Sequence, residues 1–383
     1  MKHSTEPAAL VRRLWRAAID ADEYTAAGIV HTALAEGVDE ETLLLEVIAP
    51  VQEMVGVEWA ADRISVAQEH AATAVNERIV ASLAHRQGGG PRPTHRGRVT
   101  VSCVDGDWHA FPARLLAEVL SLRGWRVDYL GAQTPTPHMV AHLHLTNPDA
   151  VLLSGSIPTH LPAAHAAITA CRAIGVPVLV GGRAFGPGGR WARRLGADRW
   201  AADARGAAAV LDAGVPRPVP ATGRQAVDDL PHLADQEYTL VLQSRPRLVK
   251  HTLTELEDRF PALRGYGDEQ RERTAEDLAH IVGFLATALY VDDADLFTTF
   301  LVWTADILQA RHVPAHSLVA ALDILADELH DFPRARRLTR LGASALGARP
   351  AASVLGPASE SATGPESAPE AGSAPVPVPG APS

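Results

Sequence analysis

The residues with the clearest chemical potential lie in the stretch VDGDWHAFPARLL, residues 104–116, where Asp107 precedes His109 by two positions. An apolar run ends just before this stretch and an amphipathic run follows, which predicts a loop between a strand and a helix. A carboxylate that hydrogen-bonds one ring nitrogen of a histidine orients the ring as a metal ligand and tunes its basicity. Considered alone, the pair is more typical of a loop histidine and a capping aspartate before a helix that begins near Pro112.

The hydrophobic pattern from residue 98 predicts an α/β domain that positions this loop. The runs RVTVSCV, WRVDYLG, AVLLSGS and PVLVGG are rich in Val and Leu, and each precedes a segment of helix length. Runs that are apolar on both faces are typical of buried parallel strands, and a weaker run at ADRWAAD completes a doubly wound, flavodoxin-like sheet over residues 98–213. Such sheets bind ligands at the carboxyl ends of their strands, where Asp107 and His109 lie.

Helical patterns flank the α/β region on both sides. Residues 1–87 carry apolar side chains at three- and four-residue spacing, which predicts a four-helix bundle. The segments 87–97 and 214–232 contain Gly and Pro and are interpreted as linkers. Residues 235–346 again have the pattern of an all-helical domain, and the composition of 347–383 predicts a disordered tail.

Composition excludes several functional classes. The 383 residues suit two or three domains, and a net charge of −10 with only two lysines argues against a surface for nucleic acid. We expect no membrane span and no signal peptide, and therefore a cytoplasmic protein. Cys103 and Cys171 are far apart and lack CxxC spacing, so neither a zinc cluster nor a disulfide framework is predicted.

The loop and the strand ends resemble the motifs of cobalamin-binding domains. Asp107, Trp108 and His109 match the start of the D-x-H-x-x-G signature, although Pro112 stands in place of its final glycine. Further matches follow in the family order at Ser154, Ser156, Gly181 and Gly182. The resemblance implies that His109 replaces the dimethylbenzimidazole base beneath cobalt. It also implies that the serine region and the glycines line the slot for the nucleotide tail.

A second block resembles the CarH kind of light-sensing cobalamin proteins. The stretch VGVEWAADRISVAQEHAAT contains W-x9-E-H, with Trp59, Glu69 and His70. The resemblance implies that the bundle caps adenosylcobalamin, that the tryptophan packs on the adenosyl group, and that the glutamate and histidine line the same pocket. Ala60 stands where that family has a histidine that caps cobalt after photolysis. Because the chain starts at the bundle rather than at a MerR-type domain, we expect no direct binding to nucleic acid.

The C-terminal helical pattern is similar to globin-related bundles, and the domain order resembles the photocobilins, which pair cobalamin with biliverdin. The sequence has no cysteine after Cys171, so a bilin in this domain would be held without a thioether bond. The resemblance implies that cations pair with the bilin propionates, at Arg245, Arg247 and Lys250. It also implies that further side chains meet the rings and pyrrole nitrogens, at Tyr290, Trp303, Asp306 and His312.

The resulting hypothesis is a light sensor that binds adenosylcobalamin, and biliverdin beside it, and that signals to a separate partner protein. We expect a homo-oligomer, with a dimer favoured. One alternative is the corrinoid protein of a methyltransferase system, which carries a methyl group and needs no shield for an adenosyl ligand. Another is a cobalamin-dependent adaptor without photochemistry.

Overall fold

A computed structural model describes residues 5–84, 94–219, 230–261, 265, 267–311, 313 and 316–348. The described chain divides into two compact units between Ala234 and Asp235. Most of both predicted linkers and the predicted tail lie outside the described residues. Within the described ranges, none of the helices combines the length and the apolar character needed to cross a membrane.

The first unit begins with the predicted helical bundle. Its helices are α1 (Pro7–Ile19), α2 (Glu23–Ala35), α3 (Glu40–Thr42), α4 (Ala49–Ala60) and α5 (Val66–Ala84). A π-helical segment, Leu43–Ile48, joins α3 to α4, so these two form one continuous helix. Pro50 explains the π segment, because it has no N–H to donate and its ring crowds the preceding turn. Among the described residues the bundle therefore has four helical rods.

The bundle core extends onto the α/β domain. Apolar side chains from all four rods pack together, and Phe111, Leu115 and Val119 complete the same cluster. These three residues belong to α6 (Ala110–Leu122), the helix that follows His109. Burying such side chains contributes about 1.5–3 kcal/mol each. The bundle is thus packed directly against the helix that begins at the candidate loop.

The α/β domain has the predicted parallel sheet. Its further elements are β1 (Arg98–Cys103), β2 (Arg126–Gly131), α7 (Thr136–Thr146), β3 (Ala150–Ser154), α8 (Leu161–Ala173), β4 (Val178–Gly181), α9 (Arg190–Arg194), β5 (Arg199–Ala201) and α10 (Ala204–Asp212). Within the described part of the chain, five parallel strands lie in the order β2-β1-β3-β4-β5. This is the flavodoxin-like order, in which ligands bind at the carboxyl edge near β1 and β3.

The second unit is helical, as the sequence pattern predicts. Its helices are α11 (Glu237–Arg259), α12 (Asp268–Val291), α13 (Ala294–Ala310), α14 (His316–Glu328) and α15 (Pro333–Gly347). The predicted apolar stripes are buried; Leu285, Phe297 and Leu325, for example, are fully enclosed. The relation of this unit to globins remains a prediction.

Candidate functional site

The register of the sheet brings the three motif-bearing loops together. Cys103 at the end of β1 pairs with Ser154 of β3, which in turn pairs with Gly181 of β4. Beyond the strands, the Val104 amide donates to the Ser154 carbonyl at 2.9 Å, and the Gly155 amide donates to the Gly181 carbonyl at 3.0 Å. The D-x-H loop, the serine region and the glycine pair therefore start side by side at one edge.

Asp107 holds His109 by hydrogen bonds to both the ring and the backbone. His109 Nδ1 lies 2.6 Å from Asp107 Oδ1, and the His109 amide donates to the same oxygen at 3.0 Å. The Ser156 amide donates to the other carboxylate oxygen at 2.6 Å. Burial acts to raise the pKa of Asp107, but these hydrogen bonds outweigh it, and the pKa lies below its usual value. An ionised Asp107 accepts from Nδ1–H, which leaves Nε2 with its lone pair.

The second ring nitrogen of His109, Nε2, can form one more bond. Nε2 is buried and has no hydrogen-bond partner among the described residues. The histidine is 1% exposed, and Trp108 stacks on its ring with a centroid distance of 4.2 Å. A buried polar atom without a partner is uncommon in folded proteins and requires a specific explanation. A single bond from Nε2 to a metal ion would satisfy it.

The helix after the loop begins earlier than expected. It starts at Ala110, and His109 is its N-cap, so the prediction of a start near Pro112 was wrong by two residues. Pro112 is then the third helical residue, where an N–H has no partner within the helix. The missing N–H of proline therefore costs nothing here, and the departure from the glycine of the signature is compatible with the helix.

An apolar cavity of about 190 Å³ adjoins the same edge. Its walls come from the ends of β3, β4 and β5 and from α6 and α10, and they include Leu115, Leu152, Ser154, Leu179, Gly181, Gly182 and Ala204. Gly182 has φ +95°, and a Cβ there would collide with the carbonyl of Gly155. Only glycine lets these two loops approach so closely. The mainly apolar lining of this cavity suits an apolar group.

The two predicted serines have different roles. Ser154 lines the cavity, and its role at a slot for the nucleotide tail stays a prediction. Ser156 instead contributes its backbone N–H to Asp107, so its effect on His109 is exerted through the main chain. Both side chains are buried.

The bundle residues Trp59, Glu69 and His70 lie on α4 and α5. Trp59 is part of the apolar bundle core. Glu69 is only 5% exposed, whereas the His70 side chain is 61% exposed, and its Nδ1 lies 2.6 Å from Glu69 Oε2. The 190 Å³ cavity is lined on the bundle side by Leu45 rather than by any of these three residues.

The sequence did not predict the buried hydrogen-bond network that includes Glu69. The Thr73 hydroxyl donates to Glu69 Oε1 at 3.3 Å, and Gln52 and Asn76 extend the same buried network. Thr73 and Asn76 follow Glu69 by four and seven positions, which places them on one helix face and could have been read from the sequence. Gln52 comes from α4, and no local pattern indicates that it meets them.

The predicted cations of the second unit separate into two environments. Arg245 and Lys250 line a groove of about 520 Å³ between α11 and α12, together with Ala275 and Ala279. Arg247 instead forms an ion pair with Glu328 at 2.8 Å. The structure thus brings two of the three predicted cations to one groove.

Of the predicted ring-contacting residues, those that the structure describes do not line that groove. Tyr290 is buried near the end of α12, edge-on to Tyr238 with ring centroids 4.8 Å apart. Trp303 is half-buried and Asp306 exposed on α13. His312 lies outside the described residues.

Two family models match parts of the first unit. Residues 97–211 match the family model described as a B12 binding domain, and residues 10–84 match a second model with the same description. Among curated proteins, none matches the sequence significantly.

Several solved structures are similar to the first half of the chain. The monomethylamine corrinoid protein of Methanosarcina barkeri is 20% identical over 53% of this chain and 96% of its own, with a TM-score of 0.44. A novel cobalamin-binding protein from Desulfitobacterium hafniense DCB-2 is 19% identical over 53% and 97%, with a TM-score of 0.29. The methanol:cobalamin methyltransferase complex MtaBC from Methanosarcina barkeri is 17% identical over 53% and 78%, with a TM-score of 0.29. These similarities are too distant to transfer an activity.

The described residues fit a cobalamin. A corrin cobalt would accept one protein donor in place of the cofactor's own base. His109 Nε2 is a buried donor without another partner, and Asp107 fixes its ring from the far side. The apolar cavity at the same edge of the sheet is lined by Ser154, Gly181 and Gly182, the residues predicted to border the nucleotide tail. With both parts of residues 10–211 matching B12-binding models, this chain is a cobalamin-binding protein.

Proposed function

We propose that this protein is a light-responsive regulator that binds adenosylcobalamin, with His109 beneath cobalt and the helical bundle over the upper face. The observation that carries the proposal is the burial of Glu69 in a bundle whose core is otherwise mainly apolar. A buried carboxylate costs several kcal/mol unless it is fully hydrogen-bonded. A bundle that served only as a scaffold would not need this group. A bundle that binds a ligand with hydroxyl donors would use a carboxylate to accept hydrogen bonds from that ligand.

The lower face of the proposed site is held by the α/β domain. His109 would donate its Nε2 lone pair to cobalt, and Asp107 would keep the ring in the tautomer that leaves this nitrogen unprotonated. The cavity bordered by Ser154 and Gly182 would take the nucleotide tail. A group bound there contacts mostly carbon atoms, so its affinity comes chiefly from the burial of apolar surface.

The upper face would be covered by the bundle. Adenosylcobalamin supplies a Co–C bond that light breaks. Trp59 would shield this bond from water, and Glu69 would accept hydrogen bonds from the ribose hydroxyls, with His70 beside it. Trp59 and Glu69 would lose their contacts if the adenosyl group were released. The balance between two packings of the bundle then shifts, and we propose that association between copies of the chain changes with it.

Entry of the cofactor requires movement in this unit. His109 is 1% exposed, so a group as wide as a corrin reaches Nε2 only after the covering residues move. Ion pairs link the bundle to the α/β domain, from Glu41 to Arg123 at 2.8 Å and from Glu46 to Arg205 at 2.8 Å. Partly exposed pairs of this kind contribute little each, so they allow the bundle to separate and return.

We extend the proposal to a non-covalent bilin in the second unit. The support is the groove of about 520 Å³ that carries Arg245 and Lys250, since two cations at the rim of an apolar groove complement a ligand with two carboxylates. Purification from cells that supply both tetrapyrroles tests it. A far-red absorption band is expected, because cobalamins do not absorb in that range, and its absence would contradict the bilin proposal.

The central experiment is reconstitution with adenosylcobalamin in the dark, followed by illumination with green light. We expect a change of the absorption spectrum and of the elution volume in size-exclusion chromatography. Reconstitution with methylcobalamin is the matched control for the adenosyl group. Methyl transfer to a thiol or folate acceptor without a light effect would instead favour a methyltransferase corrinoid protein. Binding with no photochemistry would favour an adaptor.

Ala60 makes the proposed photoresponse distinguishable from that of CarH-like proteins. An alanine cannot bind cobalt, so we expect the illuminated protein to lack the spectrum of two histidines on cobalt. The variant Ala60→His should restore that spectrum if α4 covers the upper face. A two-histidine spectrum in the unmodified protein that persists in His70→Ala would contradict this arrangement.

A further inference from the structure

We propose that Trp108 is a positioning residue for His109: its indole sets the plane of the imidazole, and therefore the direction in which Nε2 points. The inference rests on the proposed role of His109 beneath cobalt, and it is independent of any response to light. Trp108 occupies the variable position between the aspartate and the histidine of the loop signature, to which the signature assigns no role.

The contact with Asp107 does not by itself determine the plane of the His109 ring. Asp107 Oδ1 lies 2.6 Å from His109 Nδ1, which fixes the tautomer and holds one edge of the ring. A hydrogen bond accepts a range of angles, and the outer torsion of a histidine side chain is broad, so the ring can tilt while this bond stays intact. The Nε2 lone pair lies in the ring plane. A tilt of the ring would therefore turn the lone pair away from a metal ion.

The indole of Trp108 restrains this tilt. Its plane differs from that of the His109 ring by 27°, and the two ring centroids are 4.2 Å apart. A tilt of the imidazole towards the indole brings ring atoms into collision, and a tilt away from it loses the stacked contact, which aromatic pairs favour. The carboxylate of Asp107 and the indole of Trp108 thus restrain different motions of the same ring.

The backbone on both sides of Trp108 is tied to neighbouring strands, so the indole has a fixed support. Before it, Asp107 accepts from the Ser156 amide at 2.6 Å. After it, the Ala110 carbonyl accepts from the Tyr129 hydroxyl at 3.3 Å. Burial raises the pKa of Tyr129 to about 12, so this hydroxyl remains protonated as a donor at neutral pH. Metal sites need ligands whose orientation is locked by such surrounding contacts.

The exposure of Trp108 indicates that folding is not the main reason for its presence. The side chain is 43% exposed, whereas Trp125 in the same domain is 8% exposed. Tryptophan is highly buried on average in folded proteins, and its contribution to stability comes from that burial. A large aromatic side chain that stays partly in water and stacks on a buried histidine is expected to serve the histidine. The same exposure means that substitutions at Trp108 should leave the fold intact.

The first test compares Trp108→Leu with Trp108→Phe in the cofactor-free protein. Leucine keeps an apolar side chain without a flat face, whereas phenylalanine keeps a flat ring. With carbon-13 in the histidine rings, the stacked indole should shift the His109 ring-proton resonances upfield, and His109→Gln identifies these signals. Trp108→Leu should abolish the shift, and Trp108→Phe should retain part of it. Unchanged resonances in Trp108→Leu would contradict a restraint by the indole.

The second test measures cobalamin binding in the dark for the same variants. We expect Trp108→Leu to weaken binding by about tenfold, at the lower end of the range for loss of an outer partner of a metal ligand. Trp108→Phe should bind much as the unmodified protein does. Urea unfolding verifies that each variant folds, and Trp108→Gln replaces Trp108→Leu if the leucine variant does not. An undiminished affinity without the aromatic ring, or an equal loss in Trp108→Phe, would overturn the inference.

Electron paramagnetic resonance of bound cob(II)alamin separates this inference from the function on which it rests. In protein labelled with nitrogen-15 histidine, a histidine on cobalt should split the signal into doublets instead of triplets. If the unmodified protein shows no doublets, His109 is not the lower ligand, and the proposed function is wrong. If the doublets are equally sharp in Trp108→Leu, only the positioning role is wrong. Doublets that are sharp with Trp108 or phenylalanine and broadened with leucine would support the inference.

Discussion

Two buried carboxylates each lie close to a neighbouring histidine, and the two pairs are built differently. Asp107 Oδ1 lies 2.6 Å from His109 Nδ1, and Glu69 Oε2 lies 2.6 Å from His70 Nδ1. His70 Nδ1 also lies 2.9 Å from the carbonyl oxygen of Val66. Asp107 accepts bonds from two backbone amides besides the ring, whereas Glu69 accepts a bond from the side-chain hydroxyl of Thr73. His109 is 1% exposed, and the His70 side chain is 61% exposed.

From this contrast we propose that the α/β domain is the fixed floor of the cobalamin site and that the helical bundle is its adjustable cover. Backbone amides at the end of a parallel sheet move little, so Asp107 holds His109 in one orientation. A side chain such as Thr73 can change rotamer, so the surroundings of Glu69 can follow a ligand that arrives or leaves. Substitutions in the α/β domain should therefore affect affinity for all cobalamins. Substitutions in the bundle should affect which cobalamin is preferred.

The largest effect is expected from His109→Ala. Removing the proposed cobalt ligand should weaken cobalamin binding by more than the roughly 10–100-fold that loss of an outer partner of a metal ligand costs. It should also change the absorption spectrum of any pigment that still binds. Titration with cobalamin, followed by absorption, measures both. His144→Ala, at an exposed position on α7, is the control and should bind normally. An unaltered affinity in His109→Ala would show that His109 does not hold the cofactor, and the comparison of the two sites would then fail.

Asp107→Asn should weaken cobalamin binding by about 10–100-fold. An asparagine cannot accept from both His109 and Ser156, because its NH₂ group would face one of the N–H donors. Asp105→Asn is a control in the same loop, since Asp105 accepts from Thr136 rather than from the histidine. If both variants bind equally well, the hydrogen bonds to His109 do not tune the site.

The pH dependence of stability tests the same carboxylate without cofactor. The pKa of Asp107 is lowered in the folded protein, although burial opposes this, because of the bonds from His109 and Ser156. Its contribution to stability is therefore present above the ordinary pKa of about 3.9 and is lost as pH falls through the folded value. Urea unfolding between about pH 6 and pH 3 should show the unmodified protein and Asp107→Asn converging at low pH. A constant difference would contradict the assignment.

Gly182→Ala should selectively impair binding of the nucleotide tail. The added Cβ would meet the Gly155 carbonyl at a φ of +95°, so the cavity wall must shift. We expect affinity for cobalamin to fall by about tenfold, from a strain of order 1–3 kcal/mol. Cobinamide, which lacks the tail, should bind as before. Gly188→Ala is the matched control, because Gly188 also has a positive φ but open space around it. Equal losses for cobalamin and cobinamide would count against the slot.

The smallest effect is expected at the ion pairs between the helical bundle and the α/β domain. Arg205→Met removes the contacts to Glu41 and Glu46, at 3.0 and 2.8 Å, on a side chain that is 46% exposed. We expect the free energy of unfolding to fall by less than about 1 kcal/mol, and cobalamin to associate faster because the bundle separates more easily. Stopped-flow absorption measures the rate. A slower association would show that these ion pairs help the cofactor to bind, rather than holding the bundle against the α/β domain.

Local patterns in the sequence predicted much of the first unit. The five strands follow from runs that are apolar on both faces, and the bundle follows from apolar spacing of three and four residues. Both are properties of short segments, so they are visible without a structure. The D-x-H loop was placed at the carboxyl edge by the same reasoning, because parallel strands all end on that side. The apolar stripes of the second unit were predicted in the same way, from the spacing of apolar residues within single helices.

Only the tertiary structure decided which distant groups meet. The Ser156 amide reaches Asp107 across 49 positions, and Gln52 reaches Thr73 across 21. It placed Arg245 beside Lys250 on a groove and Tyr290 elsewhere, although all three are on helices of ordinary pattern. Such pairings depend on how helices and strands pack, and side-chain hydrogen bonds across them leave no period in the sequence. The sequence alone therefore determined the elements and predicted a donor at residue 109, while packing determined which groups hold the side chain of that residue.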